Sequence, residues 1–476
     1  MSLTGQRERV VDFSTNILSL MGQKRTNIFT LLAHFLHSTL GVFLRISIIK
    51  NVFDLYSNFK QMETILIRNI LLDGQKTHVR IEGNYFSEIG SNIDKQSADI
   101  VIEGEGKAII PPFYNGHTHA GMALLRGYAD DIPLFEWLHN HIWPAESKIT
   151  PQDVYAGSRL AILEMIKSGT VFFSDMYWNI GETIRAAEEM GIRAAIGVTF
   201  MDRLGEEKIK QNFQLLRQWE KSNKLVQLTV APHAIYTVND SLLMQCAEIA
   251  RELNVVLHIH LSETTQEVHD CVAIHGTTPV RWLDSIGILN PNVVAAHVIH
   301  VDDEEIDILK KRGVTVVHNP VSNMKLSSGC FRTKEMLQSG CRIVLGTDGC
   351  SSNNNLDMRE SMKFASLLAK YNYSPETLTV HEIYQWATVN GAEAFGLNAG
   401  IIAEGKLADA LLVNLDNERL VPGYNLLSNW VYAADSRCID TVICNGRLLM
   451  QNGYVEKEEE IVSEARKTCL KWQSEK

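Results

Sequence analysis

The chain has 476 residues, of which 45% are hydrophobic and 21% are charged, and its formal net charge is −11. This length exceeds that of one small domain and suits a large α/β barrel with additions. The negative charge and the lack of a basic stripe exclude a nucleic-acid partner, because phosphate binding requires clustered Lys and Arg.

Residues 1–61 precede the first regular strand pattern. The stretch Asn27–Lys50 is rich in Leu, Ile and Phe, but Arg45, His34 and His37 argue against a membrane span. No small-residue cleavage site marks a signal peptide. We therefore expect an extension outside the fold and no membrane partner, the alternatives being a packed helical appendage or an anchor. The eight cysteines form no C-x-x-C pair, which predicts reduced thiols in a cytoplasmic protein.

Short strand patterns separated by turns begin at Met62 and return at Ile402. They are Glu63–Leu72, Val79–Glu82, Tyr85–Gly90, Lys406–Asn414 and Ile439–Gly446. Alternating apolar residues bounded by Gly and Asp indicate strands of a half-buried sheet. We expect residues 62–108 and 402–455 to form one small β-sandwich domain built from both ends of the chain. A charged helical tail is predicted for residues 456–476.

Between residues 109 and 401, apolar strand patterns alternate with amphipathic helical patterns. One helix is predicted to start at Thr150-Pro151, an N-cap followed by Pro at the first helical position. Alternating strands and helices predict parallel strands, and eight such units predict an α/β fold of the (β/α)8 TIM barrel type. We assign Ala108–Ile110 as the first barrel strand. The other strand patterns are Thr170–Asp175, Arg193–Val198, Leu225–Val230, Val255–His260, Val293–His297, Val314–His318 and Arg342–Asp348.

Two histidines, His117 and His119, follow the first of these strands. Residues i and i+2 of an extended backbone point to the same face, so both imidazoles can meet one point. Gly116 allows the backbone to approach closely there. Imidazole is a preferred ligand of zinc and similar ions, although an H-x-H pattern alone is a weak signal.

Further candidate groups follow other strands, and the carboxyl ends of barrel strands surround one mouth. His233 follows the fourth strand, His260 and Glu263 the fifth, His297 the sixth and Asp348 the eighth. Three histidines and one aspartate would hold a divalent ion and leave room for a water, whose pKa zinc lowers to about 7.

The remaining roles follow from position. Glu263 is placed to carry a proton to the substrate, and Asp348 to accept one from the water. His297 is either a ligand or a donor to the new oxygen. No Lys ends the fourth strand, which favours a single ion over a carbamate-bridged pair. For His318 we expect an ordinary hydrogen-bonding role.

These motifs together resemble the amidohydrolase superfamily, in its subgroup of mononuclear metal deaminases and chlorohydrolases, from Met62 to about Gly453. Within it the chain is most similar to S-adenosylhomocysteine/5'-methylthioadenosine deaminases. The resemblance is carried by Asn115–Met122, Leu124–Gly127, Phe135–Leu138, Ala231–His233, His260–Thr264, His297, His318–Leu326 and Gly346–Gly349.

The resemblance implies roles for individual residues. The implied metal ligands are His117, His119, His260 and Asp348. The implied catalytic residues are Glu263, His297 and Asp348, and the implied substrate contacts are Trp137, Glu146, His233 and His297. Trp137 offers a flat apolar face for a nucleoside, and Glu146 can accept hydrogen bonds from two ribose hydroxyls. The alternative is that Trp137 anchors a core and Glu146 lies beside a helix cap.

The implied activity is hydrolytic deamination at C6 of an adenine nucleoside, which releases ammonia and the inosine analogue. Candidate substrates are S-adenosylhomocysteine, 5'-methylthioadenosine, 5'-deoxyadenosine and adenosine. Zn²⁺ is the implied ion, although Fe²⁺ or Mn²⁺ also suits the ligands, and a homo-oligomer is implied as well.

Some alternatives stay open. Relatives that act on S-adenosylhomocysteine carry an arginine after the third strand, and Arg203 is near that place without a clear register. The 5' substituent is therefore open. Other possibilities are a deaminase or chlorohydrolase of guanine, a pterin or a triazine, and a non-catalytic scaffold. Glu146 discriminates among these, because a ribose-free ring has no use for a diol acceptor.

Overall fold

The computed structural model describes residues 64–93, 98–219 and 225–473, so the predicted extension at residues 1–61 lies outside the described residues. The strands are β1 Thr64–Leu72, β2 Gln75–Glu82, β3 Tyr85–Gly90, β4 Ile100–Glu103, β5 Lys107–Ile110, β6 Phe113–Thr118, β7 Thr170–Tyr177, β8 Arg193–Phe200, β9 Val226–Pro232, β10 Leu257–Leu261, β11 Val293–His297, β12 Thr315–His318, β13 Arg342–Leu345, β14 Ala410–Asn414, β15 Ile439–Cys444 and β16 Arg447–Met450.

The α-helices are Leu134–Trp137, Trp143–Glu146, Pro151–Lys167, Ile180–Met190, Glu206–Gln218, Asp240–Leu253, Thr265–His275, Pro279–Ser285, Asp303–Arg312, Pro320–Lys325, Thr333–Ser339, Met358–Asn372, Val380–Ala387, Val389–Ala394, Leu426–Tyr432 and Glu458–Gln473. Short 3-10 helices span Ala120–Leu125, Asp202–Leu204 and Ser436–Cys438, and a π-helical turn spans Leu138–Ile142. No helix in these described ranges is both long enough and apolar enough to cross a membrane.

Strands β6 to β13 form a parallel sheet in chain order, with helices between successive strands. The helix Pro151–Lys167 begins as predicted, because Thr150 and Asp153 form a reciprocal capping box and Pro151 occupies the first turn. The sheet curls until its first and last strands meet, where the Asp348 N–H donates to the His117 carbonyl at 3.0 Å. This arrangement confirms the predicted α/β fold class with a TIM-like barrel.

Two residues of β6, Asn115 and Gly116, lie where the barrel closes between its first and last strands. The Asn115 amide nitrogen donates to Thr347 Oγ1 at 2.7 Å, and its oxygen accepts from the Thr347 N–H at 3.1 Å. A Cβ on Gly116 would lie 2.8 Å from Val344 Cγ2 and 3.1 Å from the Leu345 carbonyl. Gly116 therefore supplies space where β6 packs against β13.

A second sheet combines both ends of the described chain, in the order β16-β15-β14-β5-β1-β2-β3, with β4 paired to β1. One expectation is corrected here. The run Ala108–Ile110 belongs to β5, which pairs antiparallel with β14 in this second sheet, and the first barrel strand is β6. A three-residue apolar run carries no periodicity that assigns it to either sheet.

The second sheet is joined to the barrel through the buried side chain of Asp409. Its carboxylate accepts from Arg193 at 3.0 and 3.2 Å and from the Tyr114 hydroxyl at 2.8 Å. The Asn445 N–H donates to it at 2.6 Å. This ion pair lies at the amino end of the barrel strands, away from the mouth, and so leaves the opposite end free for a site.

Candidate metal-binding active site

The histidines and the aspartate predicted as ligands converge at the carboxyl end of the barrel strands. His117, His119 and Asp348 form one group whose candidate ligand atoms lie within 4.8 Å of one another, and His117, His260 and His297 form a second. His119 Nε2 lies 3.1 Å from Asp348 Oδ1, and His117 Nε2 lies 3.4 Å from the same oxygen. The ring centroids of His117 and His260 are 4.8 Å apart. The two groups share His117, so side chains separated by more than two hundred residues of sequence lie side by side.

Hydrogen bonds to backbone carbonyls orient the rings of His119 and His260. The Nδ1 atom of His119 lies 2.5 Å from the Met176 carbonyl, and that of His260 lies 2.8 Å from the His233 carbonyl. A carbonyl oxygen can only accept, so Nδ1 carries a proton in each ring and Nε2 is the nitrogen left for a metal ion. Metal-binding histidines are held in this way, with the far nitrogen donating to a carbonyl or carboxylate.

His117 is oriented by another histidine. Its Nδ1 lies 3.0 Å from Nε2 of the fully buried His258, whose Nδ1 lies 3.1 Å from Ser174 Oγ. The Nε2 atom of His117 is buried and has no hydrogen-bond partner. An orphaned nitrogen that faces a carboxylate and other imidazoles is what a bound cation would satisfy.

Asp348 completes the cluster, and its second oxygen is fixed by two hydroxyls. Ser322 Oγ and Ser352 Oγ donate to Asp348 Oδ2 at 2.6 and 2.9 Å. Burial opposes ionisation of this carboxyl, but the neighbouring imidazoles of His117 and His119 outweigh it and hold its pKa well below the usual range. A buried carboxylate requires a compensating positive charge.

Two of the three imidazoles have pKa values that suit neutral metal ligands. Burial lowers the pKa of His117 to about 4 and that of His260 well below its ordinary value, so both are neutral near pH 7. For His119, burial also opposes protonation, but Asp348 outweighs it and raises the pKa to about 9. Beside Asp348 this ring therefore carries a positive charge near pH 7, a charge that a bound cation would replace. The chemistry of this donor set, three imidazoles and one carboxylate, fits a divalent metal ion.

The backbone is strained around this centre. Ser262, His297, Val298 and Asp348 all have left-handed φ angles, of 50°, 75°, 47° and 63°. Such angles cost of order 1–3 kcal/mol each in residues other than glycine, and they cluster where function demands a particular geometry. Three of the four barrel strands that supply these groups thus turn sharply where they end.

Glu263 and His297 face each other beside the cluster. His297 Nε2 lies 3.8 Å from Glu263 Oε2, while Ser328 Oγ donates to Glu263 Oε1 at 3.3 Å. His297 Nδ1 lies 2.8 Å from Asn323 Oδ1, which fixes the proton on Nδ1. Burial raises the pKa of Glu263, so this carboxyl holds a proton closer to neutral pH than an exposed glutamate does.

The predicted substrate contacts line one cavity with these groups. Trp137, Glu146 and His233 lie in its wall together with His119, His260, Glu263, His297 and Asp348. The Trp137 indole donates to the Ala129 carbonyl at 3.0 Å, and burial lowers the pKa of His233 to about 3. Burial raises the pKa of Glu146, and the facing side chain of Trp178 opposes that rise.

The cavity is narrow and covered. Its free volume is about 60 Å³, below the roughly 300–1,000 Å³ of typical small-molecule sites. The cover consists of the short helical turns at residues 134–146, whose apolar side chains form a cluster separate from the barrel core with Met122, Val154 and Tyr177.

Arg203 lies at the same mouth. Its guanidinium carbon is 4.7 Å from the ring centroid of Trp143 and 5.2 Å from that of Trp178, and both tryptophans line the cavity. Stacking on two indoles holds a cation in place.

Several groups at the site were not anticipated from the sequence. His258 follows the same i, i+2 pattern with His260 that identified His117 with His119, so that rule could have found it. Tyr236 also lines the cavity, and its ring lies 5.3 Å from that of Phe135. For His318, by contrast, the sequence predicts an ordinary hydrogen-bonding role, but its ring stacks on Phe331 with centroids 4.2 Å apart and its buried Nδ1 has no hydrogen-bond partner.

Comparison with known proteins adds independent findings. The sequence profile described as the amidohydrolase family matches residues 108–449. A 5-methylthioadenosine/S-adenosylhomocysteine deaminase of Archaeoglobus fulgidus is 47% identical over 389 residues, which cover 80% of this chain and 91% of that protein. A 5'-deoxyadenosine deaminase of Methanothermobacter thermautotrophicus is 44% identical over 388 residues, with the same coverage of 80% and 91%.

A solved structure is similar as well. The crystal structure of an adenosine deaminase from Xanthomonas campestris with bound zinc superposes with a TM-score of 0.82 at 31% sequence identity. The match covers 86% of this chain and 98% of that one.

Proposed function

The chain belongs to the amidohydrolase family, and from that premise we propose that it is a metal-dependent deaminase of adenine nucleosides. The net reaction adds water at C6 of the purine and releases ammonia, leaving the inosine analogue. The observation that carries the proposal is the meeting of the His117, His119, His260 and Asp348 cluster with Glu263 and Glu146 in one cavity.

We propose His117, His119, His260 and Asp348 as the ligands and Zn²⁺ as the ion, because three imidazoles and a carboxylate suit zinc well. When bound, such an ion acidifies water, so that a nucleophile is available near neutral pH.

Glu263 is the proposed proton carrier. Its buried carboxyl, with a raised pKa, gives a proton to purine N1 as the water oxygen adds to C6, which draws electron density from C6. Asp348 accepts one proton of the attacking water and returns it to the Glu263 carboxylate, which passes it to the departing amino group. As the C6–N bond breaks and ammonia leaves, the remaining proton on the added oxygen goes to Glu263 and restores its acid form. His297, with its Nε2 turned towards Glu263 and the cluster, is proposed to hold the oxygen that adds to C6.

Binding of the nucleoside is assigned to the wall of the cavity. Trp137 supplies a flat apolar face, Glu146 accepts hydrogen bonds from the two ribose hydroxyls, and His233 contacts a polar group of the ring or of the 5' side. Arg203 places a positive charge beside Trp143 and Trp178. This charge favours a substrate whose 5' substituent ends in a carboxylate, as in S-adenosylhomocysteine.

The test is ammonia release from the zinc-loaded protein with four nucleosides, namely S-adenosylhomocysteine, 5'-methylthioadenosine, 5'-deoxyadenosine and adenosine. The proposal expects turnover of at least one of them, with an ultraviolet shift from adenine to hypoxanthine and one ammonia per nucleoside. Guanine and adenine without ribose serve as controls. Turnover of the bare bases with none of the nucleosides would contradict the proposal.

A further inference from the structure

Glu267 is a buried carboxylate for which the proposed reaction has no direct use. It lies in the first turn of the helix Thr265–His275, with 1% of its surface exposed. Its Oε1 accepts from the Ser262 N–H at 2.9 Å, and its Oε2 accepts from the Glu263 N–H at 2.8 Å. Both oxygens are therefore engaged by the backbone of the turn that carries Glu263.

This contact differs from an ordinary helix cap. In a capping box the residue at the third helical position bonds back to the N–H of the N-cap residue. Here the Thr264 hydroxyl accepts from the Glu267 N–H at 3.2 Å, but the Glu267 carboxylate reaches past Thr264 to the two preceding residues. Thr264 alone would cap this helix, so the contacts of the Glu267 carboxylate with Ser262 and Glu263 are not needed for capping.

The turn that Glu267 holds is a strained one. Ser262 has a φ of 50°, an angle that costs energy unless its surroundings fix it. The Ser262 carbonyl accepts from the N–H groups of Ile299 and His300 at 3.0 and 2.9 Å. The turn is thus held by Glu267 on one side and by the segment after His297 on the other.

We propose that Glu267 is a positioning residue, whose carboxylate fixes the Ser262–Glu263 backbone so that the Glu263 carboxyl is aligned with His297 and with purine N1. This inference rests on the proposed function, because alignment matters only if Glu263 transfers a proton. Misplacement of a reacting group by about 1 Å costs roughly 100-fold in rate.

The test compares Glu267→Gln with Thr264→Ala in the zinc-loaded protein. The amide keeps the size of the side chain but has one acceptor oxygen, so one of the two backbone bonds is lost. We expect kcat to fall about 100-fold with KM within about twofold and with unchanged zinc content. Thr264→Ala removes the cap of the same helix and should leave kcat within about twofold of the unsubstituted protein.

A second readout reports on alignment in the adduct. A nucleoside analogue with a tetrahedral, hydroxylated carbon in place of C6 should lose affinity for Glu267→Gln by the same factor as kcat/KM. The affinity for the inosine product should not change. Equal losses of kcat in both variants, or a loss of zinc in Glu267→Gln, would overturn the positioning role in favour of a structural one.

A third readout does not depend on turnover. Amide hydrogen exchange in the peptide that contains Ser262 and Glu263 should be faster in Glu267→Gln and unchanged in Thr264→Ala. Unchanged exchange in Glu267→Gln would show that the Glu267 carboxylate does not hold the Ser262–Glu263 backbone. If exchange is faster in Glu267→Gln but the unsubstituted protein deaminates none of the nucleosides, the proposed function is refuted. The positioning of Glu263 by Glu267 would then have no catalytic consequence.

Discussion

The hydrogen bond from His117 to His258 provides the sharpest test of the metal site. The lone pair on His117 Nε2 exists only if Nδ1 carries the proton, and that proton is donated to His258 Nε2 at 3.0 Å. Burial lowers the pKa of His258 well below its ordinary value, so His258 stays neutral and able to accept. We predict that His258→Phe, which keeps an aromatic ring but removes the acceptor, weakens zinc binding.

The size of the effect follows from the burial of both rings, each with no exposed surface. Loss of a partner that orients a metal ligand typically costs about 10–100-fold in metal affinity, or roughly 1.4–2.8 kcal/mol. That range agrees with a cost of about 1–3 kcal/mol for a buried donor left without an acceptor.

The assay is competition for zinc against a chromophoric chelator at pH 7, with the thermal midpoint measured alongside. Ser174→Ala removes the next group in the chain, whose Oγ lies 3.1 Å from His258 Nδ1, and should weaken zinc binding by less than about threefold because His258 still accepts from His117. A zinc affinity of His258→Phe equal to that of the unsubstituted protein would refute the reasoning. An equal loss in Ser174→Ala would point to disturbed packing instead.

Three further outcomes are expected from substitutions in the cavity. Glu263→Gln should lower kcat by about 10²–10⁴-fold with zinc content retained, as measured by ammonia release and metal analysis; near-normal kcat would assign the proton transfer elsewhere. Glu146→Gln should lower kcat/KM for adenine nucleosides by about 10–100-fold through loss of charged hydrogen bonds to ribose, and equal turnover of both proteins would remove the diol role. Arg203→Gln should lower kcat/KM for S-adenosylhomocysteine by about tenfold and spare 5'-methylthioadenosine, as measured by paired progress curves; equal effects on both substrates would argue against carboxylate recognition.

Much of the architecture could be predicted from the sequence because it depends on the local spacing of apolar residues in strands and helices. Alternation of strand and helix patterns indicated parallel strands in a barrel, and polar residues at successive strand ends indicated a shared mouth. His117 and His119 were paired by the i, i+2 rule alone. Local period does not assign short runs, and Ala108–Ile110 was assigned to the wrong sheet because three apolar residues fit either one.

The sequence by itself determined which residue types stand at the ends of the barrel strands, and hence that a cluster of imidazoles and carboxylates would form. Only the tertiary structure decided which hydrogen-bond partner orients each imidazole and carboxylate of the cluster. The acceptor behind His117 is a histidine on another strand, and the acceptor behind the Glu263 N–H is Glu267, in a helix whose local pattern predicts a different bond. Hydrogen-bond partners depend on the distances and angles between separate elements, and those are fixed by how the elements pack rather than by the order of residues within any one of them.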